Sequence, residues 1–283
     1  MTHYAKGVLY IIMAYFSYSI MSVFVKLASS TLVASEILFA RFIVGTVLIA
    51  PFIFKKKNQT LKINNIPFFV IRNVAGIGSM LLMFYAIREI PVSLSILLMN
   101  TAALFVPLIV LLLFKTKTKV SSLICVIVGF IGVAVIVQVN TNQDVSFFYL
   151  LLGIGSAILA AIVYCSLQEL NKSNSPQNIV FYFHLTGSIV LPLFFFNYWT
   201  APSLYELLLL FLVGLFGIIY QIFLTQSFKF ATATEVTPFT FTGVIFSSLC
   251  DWFIWNDFPS LNFWIGAVII IGSISYLAKL DSK

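Results

Sequence analysis

An all-α integral membrane protein of ten transmembrane helices, built as two inverted five-helix repeats, is the fold class this sequence predicts. Three observations predict it. Of 283 residues, 61% are hydrophobic and only 9% are charged, whereas a soluble domain carries about 25% charge. The apolar residues gather in runs of the length, about 20 residues, that crosses a bilayer as a helix. Spaced matches relate the first part of the chain to the second. The composition argues against a soluble enzyme, a disordered chain and a disulfide scaffold.

The runs place spans at 7–29, 34–54, 67–88, 91–114, 120–139, 147–170, 178–198, 204–228, 231–254 and 261–279. They do not alternate apolar with polar, as barrel strands would. The first is too long for a signal peptide and more spans follow it, so a retained helix is expected. Pro67 and Pro91 open spans, and Pro176 and Pro202 precede them, where a missing N–H costs least. Pro107, Pro192 and Pro238 fall inside spans and should loosen them, freeing carbonyls that need partners in the bundle.

Charge sets the expected orientation. With the N-terminus in the cytoplasm, cytoplasmic segments hold Lys6, Lys55, Lys56, Lys57, Lys62, Lys115, Lys117, Lys119, Lys172, Lys229, Lys279 and Lys283. The opposite loops hold Arg88 alone. This positive-inside bias predicts that both termini face the cytoplasm, and short loops with a Lys/Ile/Asn/Phe-rich composition suit a bacterial inner membrane. The formal charge of +7 therefore speaks for membrane orientation, not nucleic acid. Trp199, Trp252, Trp255 and Trp264 fall near span ends, as an aromatic belt requires. Cys125, Cys165 and Cys250 lie in apolar runs and read as small hydrophobes. His3 and His184 are too few for a metal site, so neither metal nor cofactor is expected.

The repeat is legible as matches at near-constant offset. Gly7, Ala14, Tyr18 and Lys26 match Gly153, Ala160, Tyr164 and Lys172 at an offset of 146. Gly76 matches Gly217 and Arg88 matches Lys229 at 141; Gly132 matches Gly272 at 140. Five spans per unit is an odd number, so the second unit enters from the opposite side, as in many secondary transporters. The units are 1–140 and 141–283, joined near Thr141–Ser146.

The stretches "FARF" around Arg41, Arg72–Ser93, Gly214–Phe241 and Trp255–Gly272 resemble the drug/metabolite transporter superfamily, specifically its ten-helix EamA-like members. That resemblance implies a carrier of small metabolites. Members include amino-acid exporters, nucleotide-sugar and riboflavin carriers, and S-adenosylmethionine uptake carriers, to which "EVTPF" and its surroundings are similar. Members usually carry a Glu before the last span, where Asp257 stands here; Thr116 stands at the matching place of the first unit.

Helical spacing sorts the polar residues that should face the bundle. Tyr164 and Gln168 share a face, as do Tyr18 and Ser22 at the repeat-related place. Gly214, Gly217, Gln221 and Thr225 form one stripe, and Arg72, Gly76, Ser79 and Met83 another. Asn100 and Thr101 sit in the fourth span; Thr237, Thr240 and Phe241 flank Pro238 in the ninth. The candidate substrate-binding set is Tyr18, Ser22, Arg72, Ser79, Asn100, Tyr164, Gln168, Gln221, Thr225, Glu235, Thr237 and Phe241. Each has a bland alternative: glycines pack helices, Ser and Thr bond their own backbone one turn back, tyrosines brace helices. Arg41 and Arg72 would attract an anion, or snorkel, or pair with an acid. Lys26 and Glu36 flank one outer loop and should face water. Glu235 and Asp251 are the acids that dip into the bundle, and Glu235 is the candidate proton carrier.

The expected function is secondary transport of a small polar metabolite by alternating access, with S-adenosylmethionine or an amino acid as substrate and a proton or counter-substrate as coupling partner. Partners are thus a small molecule and the lipid bilayer, with no nucleic acid; the oligomeric state stays open. An intramembrane enzyme would need convergent catalytic groups, and neither HExxH nor a Walker-type GxxxxGK[ST] run occurs. A non-transporting membrane scaffold is the other alternative.

Overall fold

A computed structural model describes residues 2–54, 62–114, 120–141, 146–195 and 201–281. Trp199, Thr116, Lys55, Lys56, Lys57, Lys115, Lys117, Lys119 and Lys283 lie outside the described residues, as does 142–145 of the expected joint.

The described residues form helices α1 (His3–Ala28), α2 (Ala34–Phe54), α3 (Ile66–Glu89), α4 (Val92–Asn100), α5 (Ala102–Phe114) and α6 (Val120–Thr141). Then come α7 (Phe147–Leu170), α8 (Pro176–Phe195), α9 (Leu204–Phe230), α10 (Ala233–Val236), a 3₁₀ turn (Thr237–Phe241), α11 (Thr242–Trp255) and α12 (Leu261–Asp281). Caps explain several ends. The Thr2 hydroxyl caps α1, and Ser203 with Glu206 forms a capping box at α9. Asn256 ends α11 at φ 57°, a left-handed conformation that Asn tolerates better than most residues.

Two expected spans are broken. The fourth is α4 and α5, interrupted at Thr101, whose N–H turns back to the carbonyls of Leu98 and Met99. The ninth is α10, the 3₁₀ turn and α11. Pro238 sits at the turn's start, where a ring without an N–H cannot continue an α-helical ladder. Pro192 lies inside an unbroken α8. The two breaks meet: the Asn100 amide nitrogen donates to the Thr240 carbonyl at 3.0 Å. A freed carbonyl inside an apolar bundle thereby finds its donor.

Among the described residues, six stretches are long and apolar enough to cross a membrane: His3–Ala28, Ala34–Phe54, Ile66–Glu89, Val92–Leu112, Phe147–Leu170 and Leu204–Phe230. Side-chain placement agrees with a lipid surround. Phe52, Val74, Leu193, Phe253 and Val268 are exposed, while Arg41, Arg72, Asn73, Asn100, Gln221 and Asp251 are buried. That inverts the usual pattern for water.

Four antiparallel helix pairs dominate the packing, and each joins a helix before residue 142 to one after 146. In α1–α9 the Ser227 hydroxyl donates to the Gly7 carbonyl at 2.8 Å, and Phe24 stacks on Phe216 near the other end. In α3–α7 the Ser79 hydroxyl donates to the Ser156 carbonyl at 2.9 Å. In α6–α12 the Ser273 hydroxyl donates to the Cys125 carbonyl. In α2–α8 the contacts are reciprocal: Gly45 lies against His184, Gly187 against Phe42, and Thr46 bonds Ser188 at 3.1 Å. Glycines permit this close approach because a Cβ at either would strike the opposing ring.

These pairs do not sort the chain into two sequence-contiguous lobes. They assemble one bundle from α1, α2, α8 and α9 and another from α3, α4, α5 and α7, and direct packing between the two is sparse. The largest interfaces therefore cross between the two sequence halves.

Candidate functional site

A cavity lies between those bundles, near the middle of the helices. Tyr18 of α1, Phe183 of α8, and Tyr220, Gln221 and Leu224 of α9 form one wall. Arg72, Gly76, Ser79 and Met80 of α3, Met99 of α4, and Ala160, Val163 and Tyr164 of α7 form the other. Its volume of about 30 Å³ holds roughly two waters, so any metabolite requires the bundles to separate.

Of the expected set, Tyr18, Arg72, Ser79, Tyr164 and Gln221 line this cavity together. Helical spacing from α1, α3, α7 and α9 aims them there, since each is the inward point of a polar stripe. The Tyr18 hydroxyl donates to Met99 Sδ at 3.2 Å. Ser79 is spent on Ser156, and the Gln221 Oε1 has no partner.

The other seven lie outside the lining. Ser22 is buried one turn from Tyr18. Asn100 closes the contact between the two breaks. The Thr225 hydroxyl bonds its own backbone at Gln221, and the Thr237 carbonyl accepts from the Thr240 hydroxyl in the same way. Gln168 Oε1 accepts from the Ala233 N–H at 3.1 Å, tying α7 to α10. Phe241 is core. Glu235 accepts from the Thr232 N–H and hydroxyl, both at 2.8 Å, and so caps α10 instead of facing the cavity.

Other charges also differ from expectation. Glu36 is buried, with its carboxylate on the Val33 N–H, and does not face water. Lys26 donates to the Ile90 carbonyl at 3.0 Å and lies over Trp255. Asp251 accepts from the N–H groups of Val92 at 3.2 Å and Ser93 at 2.6 Å, holding α11 to the first turn of α4. Trp252 is exposed and Trp264 partly so.

The arginines neither snorkel nor pair with an acid. Both are completely buried. Arg41 Nη1 donates to Met80 Sδ at 2.7 Å and Nη2 to the Gly217 carbonyl at 3.4 Å. The Arg72 guanidinium lies 3.5 Å over the Phe183 ring, and its Nη1 donates to Asn73 at 3.4 Å.

Sequence reasoning missed Tyr15, Tyr220, Met80 and Met99. The Tyr15 and Tyr164 hydroxyls meet at 2.5 Å, and Tyr18 and Tyr220 rings sit 4.7 Å apart. Tyr15 stands one helical turn before Tyr18, a spacing that marks the same face. Tyr220 adjoins Gln221, and nothing in its spacing separated it from lipid-facing aromatics. Among the described residues no cluster of metal-ligating side chains occurs.

The model of the "EamA-like transporter family" matches twice, over residues 5–138 and 147–278. The chain is 30% identical over 275 residues to a pseudopaline exporter of Pseudomonas aeruginosa, covering 97% of this chain and 96% of that one. It is 26% identical to an S-adenosylmethionine uptake transporter of Rickettsia prowazekii, covering 99% and 95%. A riboflavin transporter of Brucella anthropi is 25% identical, covering 87% and 88%. A solved crystal structure shares the fold with a TM-score of 0.71 at 14% identity, over 99% of each chain.

Proposed function

The chain belongs to the EamA-like transporter family, and from that premise we propose that it is a secondary transporter moving a small polar metabolite by alternating access across a bacterial inner membrane. That it is an integral membrane transporter, not an enzyme, accords with the relatives' names. One observation carries the mechanism: a cavity that brings Arg72, Gln221 and three tyrosines together among apolar side chains sits mid-helix between two bundles that touch sparsely. Such bundles can tilt about the cavity with their own interfaces intact.

Ten spans in two inverted units, 1–140 and 141–283, suit the arrangement. Counting α4 with α5, and α10 with the 3₁₀ turn and α11, gives ten. The reciprocal α2–α8 contacts support inverted repeats, because an in-plane two-fold makes equivalent positions meet. Phe42 and His184, Gly45 and Gly187, and Thr46 and Ser188 all stand at one and the same sequence separation. With both termini cytoplasmic, the Asp251 contact to α4 closes the outer end, while the Gln168 bond to α10 and the Asn171 amide on the Thr225 carbonyl close the inner one.

Purified protein in proteoliposomes should show saturable flux of S-adenosylmethionine or an amino acid. Absence of flux across a broad metabolite panel overturns the reading. For proton coupling, Glu235→Gln should leave the pH dependence of flux unchanged, because its carboxylate serves as a cap.

A further inference from the structure

We propose that the cavity takes an amino-acid-type head group, its carboxylate seated on the free edge of Arg72 and its ammonium group facing the Gln221 carboxamide oxygen and the tyrosine wall. The proposal rests on the transporter reading above and names the substrate class of that site.

Three features point to a carboxylate. Arg72 has no exposed surface, and its Nε and Nη2 have no hydrogen-bond partner. Those two atoms lie on one edge of the guanidinium, and their N–H bonds run parallel, the fork that matches two carboxylate oxygens. The third nitrogen, Nη1, is already directed at Asn73. No acid answers this charge within the protein: among the described residues the ion pairs are Arg88–Glu89 and Lys172–Glu169, both away from the cavity. A buried cation without a counter-charge is strongly unfavourable, so a site that keeps one is built for a ligand that brings the missing charge.

A second cation sharpens the point. Arg41 comes from the opposite bundle, with its Nε unpartnered and its Nη1 on the sulfur of Met80, which lines the cavity. An anion between them attracts both across the gap that must close around substrate. The head's positive end has its own place. Gln221 Oε1 is a buried acceptor without a donor, and Tyr18 and Tyr220 line the same cavity, where an aromatic ring attracts a cation.

The test is a thermal-shift series on purified full-length protein in detergent. The probes are S-adenosylmethionine and L-methionine, the carboxylate-free amines decarboxylated S-adenosylmethionine and 3-methylthiopropylamine, and inorganic phosphate. At least one carboxylate-bearing probe should raise the wild-type melting temperature, and its amine counterpart should not. Arg72→Lys keeps the charge but loses the fork, and should weaken that binding at least about tenfold. Arg72→Met without ligand should melt at or above wild type, since it removes an unanswered charge. Amines that shift melting as strongly as their carboxylates overturn the proposal. So does a phosphate shift that depends on Arg72 while carboxylates do nothing. Failure of Arg72→Met to fold, or melting well below wild type, also overturns it, by showing that Arg72 is a structural strut. Flux of metabolites with no response to any carboxylate sinks this proposal and leaves transport standing, whereas no flux of any metabolite sinks transport itself.

Discussion

Two corners of the molecule occupy matching places and hold different chemistry. In one, Arg41 of α2 lies over Gly217 of α9; in the other, Phe183 of α8 lies over Gly76 of α3. Phe183 follows Arg41 by the same separation that divides Thr46 from Ser188, and Gly217 is the repeat match of Gly76. The backbones thus repeat a device, a large side chain seated on a glycine, while the side chain is a cation once and an aromatic ring once. Arg72 then stacks on that ring. Its own repeat match, at the offset of Gly76 and Gly217, is the apolar Val213. In the alternating-access transporter proposed above, near-symmetry would serve a scaffold with similar interfaces in two states, and asymmetry would serve recognition by charge on one side of a cavity and a flat ring on the other.

The sharpest way to break the comparison is to make the corners alike. Arg41→Phe should cut flux about tenfold to a hundredfold in proteoliposomes, since a charged hydrogen bond is worth roughly 1.5–3 kcal/mol, while the protein stays folded. Undiminished flux would make the charge difference irrelevant to transport.

The glycines come next. A Cβ at Gly217 would sit 2.6 Å from Arg41 Nε, whereas one at Gly76 would sit 3.0 Å from Phe183 Cε2. Overpacking costs about 1–3 kcal/mol, so Gly217→Ala should approach the top of that range and Gly76→Ala the bottom. Reversible unfolding in mixed micelles reads the difference, and equal losses would dissolve the contrast between corners.

Asymmetry extends to the broken spans. Asp251 holds α11 to α4, while its match in the first unit, at the offset of Gly132 and Gly272, is Leu111. Asp251→Asn should weaken this contact between α11 and α4 by about 1–2 kcal/mol, read as faster thiol labelling of Ser93→Cys in the Asn background than alone. An unchanged rate would show that the carboxylate does not hold this contact shut.

The smallest effect belongs where the halves agree. A double-mutant cycle of Thr46→Val and Ser188→Ala should give coupling of about 0.6 kcal/mol, the usual size for a hydrogen bond between membrane helices. A value near zero would remove that bond from the crossing.

Part of the site was legible in sequence for a simple reason. A polar residue deep in an apolar run has few places to go, so Tyr18, Arg72, Ser79, Tyr164 and Gln221 could be aimed inward from periodicity. Met80, Met99 and Tyr220 could not, because an apolar or aromatic residue suits lipid, core and cavity equally. Glu235 misled for the opposite reason: a carboxylate near a span looks functional until Thr232 is seen to be its partner. The break at Asn100–Thr101 also escaped notice, since Pro107 marks the span as weak without saying where it parts.

Hydropathy alone determined that this chain suits lipid and where its apolar runs lie, because the free energy of moving a residue from water to hydrocarbon is a local property. Which helices pair was decided only in three dimensions. Periodicity tells which face of a rod is polar but not which rod it meets, and glycine-to-ring contacts such as Gly45 with His184 exist only once two distant segments have found each other.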